Sequence, residues 1–481
     1  MRLSKLFKDA PTTNVTGLCV DSRKVEKGNI YFCMPGMSAD GHDFINQAID
    51  KGAICIVHAK DIENKRDGAI YIKVDDVVSA LNTCAKIFNN NPSGNMVMYG
   101  VTGTNGKSSI TKIIKYFCDT QTPCGYIGTI SIEYGKIHLQ PNLTTPGTLF
   151  LMDKLRDMVE HGIGACALEV SSHGLAQRRV DAIDFDVAVF TNFTHDHLDF
   201  HGTIENYFSA KKLLFSERVR EDGVSILNID DARFEDLKEA SKARVISYGV
   251  KKECDYRAKD IVLKSDSTTF TLVFKGKEYP VETNLVAEYN IYNLLAAIAS
   301  MHETGMSIET LTALARNIPQ IEGRMEQIRC GQPFDVIVDF AHTPDGMEKV
   351  MQFGREIAQN NRLISVFGSA GRRDIQKRKV FGEIADKYCD LIIVTEDDPR
   401  DESPKEIGEQ IKSGITKTTT VFIEDRYEAI RQAIESCQAG DCVLVLGKGD
   451  ESYIYRGDNV RVPWVGDNNA VKECIEKYWN K

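Results

Sequence analysis

The sequence predicts an α/β protein of three domains, and three observations carry that reading. The chain has 481 residues, which at about one to two hundred residues per domain makes roughly three. Short β-branched runs alternate with helical patterns along its whole length, as strand–helix–strand units around parallel sheets require. A run of turn residues, Asn89-Asn-Asn-Pro-Ser-Gly94, reads as a linker, and a fresh alternation opens near Glu326. The domains are therefore expected at 1–94, 95–325 and 326–481.

Composition narrows the class. Apolar residues are 42% and charged residues 27%, with 36 Gly but only 13 Pro, which excludes collagen-like and broadly disordered chains. A net charge of −10 argues against a nucleic-acid partner, since phosphate neutralisation needs clustered Lys and Arg. The 13 Cys are scattered singly from Cys19 to Cys474 without a Cys-x-x-Cys pair, which fits reduced thiols in the cytoplasm. Neither a targeting segment nor an 18-residue apolar run is apparent, so no membrane insertion is expected.

In the first domain, Ile54–Val57 and Ile70–Val74 read as strands. The second opens with the strand Met96–Tyr99, followed by Gly100-Val-Thr-Gly103-Thr104-Asn105-Gly106-Lys107-Ser108-Ser109 and a helical run from Ile110. Glycines at a strand-to-helix turn let backbone amides approach phosphate oxygens. The helix N-terminus and Lys107 add positive potential, and the Ser108 hydroxyl can ligate magnesium: this is a P-loop, with Val101 where the commonest form has its first Gly. Further strands at Gly164–Glu169 and Val187–Thr191 predict a doubly wound parallel sheet, with Glu169 and His197 beyond strand carboxyl ends, where such sheets hold ligands. Lys211 lies four residues after Tyr207 on an expected amphipathic helix, and its residue type alone reads as a solvated lysine. In the third domain, Phe334–Asp339, Leu363–Gly368, Leu391–Thr395 and Cys442–Leu446 read as strands.

Gly103-Thr-Asn-Gly-Lys-Ser108, Glu169-Val-Ser-Ser-His-Gly174, Asp196-His-Leu-Asp199 and Gly323-Arg-Met-Glu326, in that order, resemble the Mur ligases of peptidoglycan precursor synthesis. Asp21-Ser22-Arg23, Gly41-His42, Thr144-Thr145-Pro146, Asp339-Phe-Ala-His342-Thr-Pro-Asp345, Asp397-Asp-Pro-Arg400 and Gly447-Lys-Gly449 extend the likeness nearly end to end, toward members that add the third residue of the peptide. The resemblance implies an N-terminal UDP-binding domain, a central P-loop ATPase and a C-terminal Rossmann-like domain bringing the amino acid. It implies that ATP, with Mg2+, phosphorylates the D-Glu carboxylate of UDP-N-acetylmuramoyl-L-alanyl-D-glutamate and that the amine of a diamino acid attacks the acyl phosphate. A monomer is expected.

Residue by residue, the resemblance places Gly103, Thr104, Asn105, Gly106, Lys107, Ser108, Ser109, Asn293, Arg324, Asp339 and His342 at ATP. It places Ser22, Thr144, Thr145, Ser171, Gln177 and Arg179 at the UDP-sugar-peptide, and Ser108, Glu169 and His197 at the metal. Lys211 matches a lysine that carbon dioxide converts to a carbamate, a bidentate oxygen ligand for the second magnesium, which reverses the solvated reading. With Lys107, Glu169 and His197 it makes the expected catalytic set. Arg373, Asp397, Asp398, Pro399, Arg400, Gly447 and Glu451 match the acceptor site.

Relatives that add meso-diaminopimelate usually read Asp-Asn-Pro-Arg, the Arg gripping the distal carboxylate that lysine lacks, so Arg400 favours diaminopimelate. Asp398 in place of the Asn could repel that carboxylate, leaving lysine and ornithine open as acceptors. Asp450 where His is common, Arg372 where Asp is common and Ala287 where Gly is common leave open a specialised or non-catalytic paralogue. A folylpolyglutamate-synthase-like ligase would share the ATPase core. The Asp21-Ser-Arg23 domain and the Asp397–Arg400 motif speak against it.

Overall fold

The computed structural model describes residues 1–36, 39–457 and 460–479. Its first sheet has four parallel strands in sequence order, Gly17–Cys19, Asn29–Phe32, Cys55–His58 and Ile70–Lys73. Every residue of the two middle strands is buried, which is why Ile54–Val57 reads as a continuous apolar run without alternation. The helix Val77–Phe88 starts at Asp76, whose carboxylate accepts from the Val78 amide, and lays Val77, Leu81, Cys84 and Ala85 on the core. Its outer side is tied to the central domain: Asn82 donates to the Arg178 carbonyl, and Lys86 pairs with Asp184 at 2.6 Å. The expected linker is a packed corner. Asn89 donates its side-chain amide to the Ala85 carbonyl, Asn90 and Asn91 take positive φ, and Pro92–Asn95 forms a 3-10 turn with Pro92 and Ser93 buried. Turn composition here encodes a sharp reversal rather than a spacer.

The second sheet has eleven strands. Seven are parallel, in the order Cys124–Ile127, Ala165–Glu169, Val97–Thr102, Phe185–Phe190, Val219–Asn228, Arg244–Gly249 and Tyr256–Leu263. They are buried on both faces: Tyr99 and Val101 join the core beneath the helices Lys107–Cys118 and Glu288–Glu303, while Met98 joins the opposite core beneath Thr148–Glu160. These seven strands are the doubly wound parallel sheet that the sequence predicts, and hairpins extend it at both ends with antiparallel strands. Ile132–Tyr134 and Ile137–Leu139 add to one edge; Thr268–Phe274 and Lys277–Thr283 add to the other. The second hairpin turns through Lys275 and Gly276, both at positive φ, the geometry a two-residue turn demands.

The third sheet runs Glu326–Gln327, Asp335–Asp339, Cys442–Leu446, Leu363–Phe367, Leu391–Val394 and Thr419–Phe422, parallel except for its first strand. Helices Pro344–Ala358, Gln376–Tyr388 and Pro404–Lys412 cover one face; Arg426–Glu435 and Asp467–Cys474 cover the other. Cys442–Leu446 is inserted between Asp335–Asp339 and Leu363–Phe367, the first two parallel strands of this sheet in chain order, so the strand order reverses there and leaves a crevice beyond the carboxyl ends. A small hairpin, Tyr453–Arg456 with Val460–Pro463, lies outside the sheet. Among the described residues no helix is long and apolar enough to cross a membrane.

Candidate functional site

A cavity of about 1000 Å³ opens between the carboxyl ends of the central and C-terminal sheets. Its central wall is the phosphate loop. Gly103 and Gly106 have φ of +151° and +88°, and a side chain on Gly106 would come within 2.5 Å of Asn293 Oδ1, so the close approach of loop to helix requires glycine. The helix Lys107–Cys118 has no side-chain cap, leaving the amides of its first turn for an anion, with Ser108 and Ser109 buried in that turn. Lys107 Nζ folds back on the Gly103 and Thr104 carbonyls at 3.0 and 2.9 Å. Its pKa is lowered by burial, against the pull of Glu169 and Asp196.

Lys211 is 1% exposed, so the solvated reading is corrected. Its Nζ donates to the same Gly103 carbonyl at 2.7 Å and stands 4.5 Å from the Tyr207 ring centre. Burial, then the neighbouring Lys107, push its pKa well below the ordinary lysine value. Glu169, fully buried, accepts from Tyr126 Oη and the Thr129 amide on one oxygen and from Thr129 Oγ1 on the other. That leaves lone-pair capacity on the second oxygen. His197 has φ +53° and lies 3.2 Å from Asp196, and its pKa is driven down to about 3 by burial despite that carboxylate. A neutral imidazole is the ligand form.

Among the described residues no three His, Cys, Asp or Glu cluster as a metal cage. Glu169, His197 and the Ser108 hydroxyl still fit a hard cation whose remaining ligands are phosphate and water oxygens. A lysine amine is no ligand for such an ion. A carbamate would be.

Of the expected ATP contacts, Thr104, Asn105, Asn293, Arg324, Asp339 and His342 line the cavity. Asn293 is held by Asn290 at 2.9 Å, and His342 Nδ1 lies 2.9 Å from the Phe340 carbonyl. Asp339 spends both oxygens on the Met325 and Ala341 amides, so it shapes the Gly323–Met325 turn. Arg324 pairs with Asp450 at 3.1 Å over the Phe340 ring. Asp450, the departure from the usual His, thus holds an expected ATP residue.

The UDP-sugar-peptide set separates. Thr144 lines the cavity, and around Thr145 the structure joins three of its fellows, Ser171, Gln177 and Arg179. Thr145 accepts from the Ser171 amide and donates to the Glu169 carbonyl, while Arg179 reaches the Thr145 carbonyl at 2.7 Å and forks onto Gln177. Ser171 caps the short helix Ser172–Ala176. Ser22 stands apart in the first domain, donating to Gln47 at 2.6 Å.

The acceptor set meets on the opposite wall, where Arg373, Asp397, Asp398, Arg400, Gly447 and Glu451 line the cavity. Pro399 is absent from the wall: its carbonyl accepts from the Glu402 amide, turning the chain into Arg400, whose φ is +52°. Gly447, at φ +109°, lies where a side chain would strike Asp397. Arg373 reaches across to Asp199 of the central domain at 3.0 Å. Asp398 accepts from Lys448 Nζ at 2.8 Å and from the Tyr455 amide at 2.9 Å, so its charge is already matched. Lys448 also bonds Glu451 at 2.5 Å. Burial raises Glu451 to about 7 in spite of that lysine, whereas for Lys448 the carboxylates Glu451, Asp397 and Asp398 outweigh burial and raise its pKa. Sequence reasoning missed Lys448, which stands inside a quoted motif, and Tyr455, which stacks 5.5 Å from the Arg400 guanidinium. The period-two Tyr453-x-Tyr455 was the available signal for a strand facing the site.

Residues 14–89, 101–301 and 323–449 match the Mur ligase family catalytic domain, the Mur ligase middle domain and the Mur ligase glutamate ligase domain. A UDP-N-acetylmuramoyl-L-alanyl-D-glutamate–2,6-diaminopimelate ligase of Clostridium acetobutylicum is 38% identical over 95% of this chain and 96% of its own length. The corresponding ligase of Caldanaerobacter subterraneus is 37% identical over 98% and 96%. A solved ligase of the same description superposes with a TM-score of 0.72 at 29% identity, covering 99% of both chains. A folylpolyglutamate synthase of Mycobacterium tuberculosis shares the fold at 16% identity and a TM-score of 0.61, over 76% of this chain. Matches in all three segments, with relatives aligned along nearly their whole length, cover the phosphate loop and most of the wall that faces it: the chain belongs to the Mur ligase family.

Proposed function

We propose that the protein is an ATP-dependent ligase joining an amine of meso-diaminopimelate to the D-glutamate carboxylate of UDP-N-acetylmuramoyl-L-alanyl-D-glutamate, as a monomer in the cytoplasm. One observation carries this reading: a single cavity joins the phosphate loop to the Arg400–Glu451 wall, so a phosphorylated carboxylate and an incoming amine can meet within it.

Carboxylate oxygen is a poor leaving group, and transfer of the γ-phosphoryl group of ATP to it, with loss of ADP, remedies that. The amine then attacks the carbonyl carbon, phosphate departs and the amine sheds a proton. Lys107 and the uncapped amides of the helix Lys107–Cys118 receive the phosphates and offset charge gathering between the β- and γ-groups. Bound magnesium would neutralise phosphate charge, with Ser108, Glu169 and His197 as its protein ligands. Lys211, buried and with a depressed pKa, offers carbon dioxide a neutral amine. A new N–C bond and loss of one proton make the carbamate, whose oxygens would join that ligand set. Asn293, Arg324 and His342 would hold ATP, Asp339 shaping the Arg324 turn. Thr144, Thr145, Ser171, Gln177 and Arg179, with Ser22 from the first domain, would hold the UDP-sugar-peptide.

Arg400 on the wall supports diaminopimelate, its guanidinium matching a distal carboxylate. The Lys448 pairing answers the objection from Asp398: a matched aspartate neither repels that carboxylate nor demands a bare ammonium. Glu451 would receive the distal ammonium. The test offers diaminopimelate, lysine and ornithine separately with ATP, magnesium and the dipeptide substrate, following phosphate release and product mass. Diaminopimelate-dependent product is expected; lysine or ornithine product would reassign the acceptor, and no product with any would overturn the ligase reading.

A further inference from the structure

Outside the cavity wall, the most completely buried charged pair of the C-terminal domain is Arg426 with Asp467, both side chains 0% exposed. Each is the first residue of a helix, Arg426–Glu435 and Asp467–Cys474. Arg426 Nε and Nη2 grip the two Asp467 oxygens at 2.7 and 2.6 Å, the bidentate fork that lysine cannot reproduce. The remaining reach of the guanidinium goes to backbone: Nη1 donates to the Glu396 carbonyl at 3.1 Å and Nη2 to the Leu446 carbonyl at 2.9 Å.

Those two carbonyls immediately precede Asp397 and Gly447, where the acceptor wall begins. Glu396 lies two residues beyond the strand Leu391–Val394 and Leu446 ends the strand Cys442–Leu446; the two strands are not neighbours, because Leu363–Phe367 runs between them. No ladder bond can therefore set one loop against the other, and the guanidinium does so directly. The same pair anchors a third segment. Trp464 Nε1, at the foot of the hairpin carrying Tyr453 and Tyr455, donates to Asp467 at 3.2 Å, and the Glu396 side chain holds Arg456 of that hairpin at 2.6 Å.

We propose that Arg426 and Asp467 are positioning residues for the amino-acid acceptor, setting the Asp397–Arg400 loop, the Gly447–Glu451 loop and the Tyr453–Pro463 hairpin in mutual register. This rests on the acceptor reading of that wall. Neither residue touches the cavity, so their effect is geometric: small displacements at the carbonyls move Arg400 relative to Glu451, the two groups that would grip opposite ends of the acceptor.

The test compares Arg426→Lys with wild type by steady-state kinetics on all three substrates, and by amide hydrogen exchange of segments 397–400 and 447–451. KM for diaminopimelate should rise at least tenfold while KM for ATP and for the dipeptide substrate stays within twofold, and the preference for diaminopimelate over lysine should fall. Exchange should quicken in both segments and not in the phosphate loop. An equal rise in all three KM values, or unchanged KM and exchange in a folded variant, would overturn the proposal. Should Arg426→Lys not fold, Trp464→Phe removes one donor and no charge, and a severalfold rise in acceptor KM alone is expected from it; no rise counts against the proposal. If wild type joins no acceptor, the ligase reading fails while the exchange comparison still decides whether the pair sets the loops.

Discussion

Lys211 shows what a residue can conceal. A lysine on a helix is by default solvated, yet this one is buried beside a second amine on one shared carbonyl, an arrangement that costs the charged form of both. Lys211→Ala should lower turnover by about 100-fold or more, the scale of removing one preorganised electrostatic group. Bicarbonate should help wild type and leave the variant unmoved; an active variant would remove the carbamate. Glu451 yields a pH prediction. Its folded pKa of about 7 stands above the ordinary 4.5 because burial outweighs Lys448, with Asp398 and Asp397 adding to the rise. The folded state thus holds a proton between pH 4.5 and 7 that the unfolded state releases, so Glu451 contributes stability at low pH that is lost as pH rises through about 7. Binding has the opposite slope, since the carboxylate must be charged to receive an ammonium. KM for diaminopimelate should fall from pH 6 to 8, and Glu451→Gln should flatten that dependence.

At the scale of elements, residue types that look like faults have local causes. Ala287, where a glycine is usual, precedes the helix Glu288–Glu303 at φ +69° and ψ 145°, a region that suits only glycine, and it is buried. Such strain costs about 1–3 kcal/mol, and glycine's larger unfolded-state entropy returns about 0.5–1 of it. Ala287→Gly should therefore stabilise by about 1 kcal/mol, read as a higher urea midpoint with KM for ATP unchanged; a lower midpoint would show the strain to be absent. The antiparallel ends of the central sheet have a similar local origin. Thr268–Phe274 alternates buried and half-buried residues, as a one-sided strand does, but strand-to-helix patterning in the neighbouring segment hid that period.

At the scale of the molecule, three sheets carry largely separate cores, and the central and C-terminal parts meet through a small apolar contact, Val286 and Ala287 on the C-terminal core, and through polar bridges across the cavity. Arg324–Asp450 is largely buried, while Arg373–Asp199 is half-exposed and worth at most about 1 kcal/mol. Asn105 of the phosphate loop adds a bond to Asp345 at 3.1 Å. Contacts of that kind do not weld domains into one cooperative unit. Calorimetric unfolding should show more than one transition. Magnesium and a non-hydrolysable ATP analogue at a hundredfold excess over Kd should stabilise the nucleotide-bearing one by about 2.7 kcal/mol. A single transition with equal calorimetric and van't Hoff enthalpies would contradict this.

The three-part α/β plan, the phosphate loop and the carboxylate and imidazole beyond strand ends were legible in the chain, because each depends on residues close in sequence: a glycine run between strand and helix, a polar residue ending an apolar run. Roles beyond those came from family likeness, which spans motifs hundreds of residues apart. Only the tertiary structure decided that Lys211 is buried, that Asp398 belongs to Lys448, that Asp450 holds Arg324 and that Arg426 spans two strand ends. Charge state and partner choice are set by what surrounds a group in space, and each of those partners lies 20 to 126 positions away along the chain.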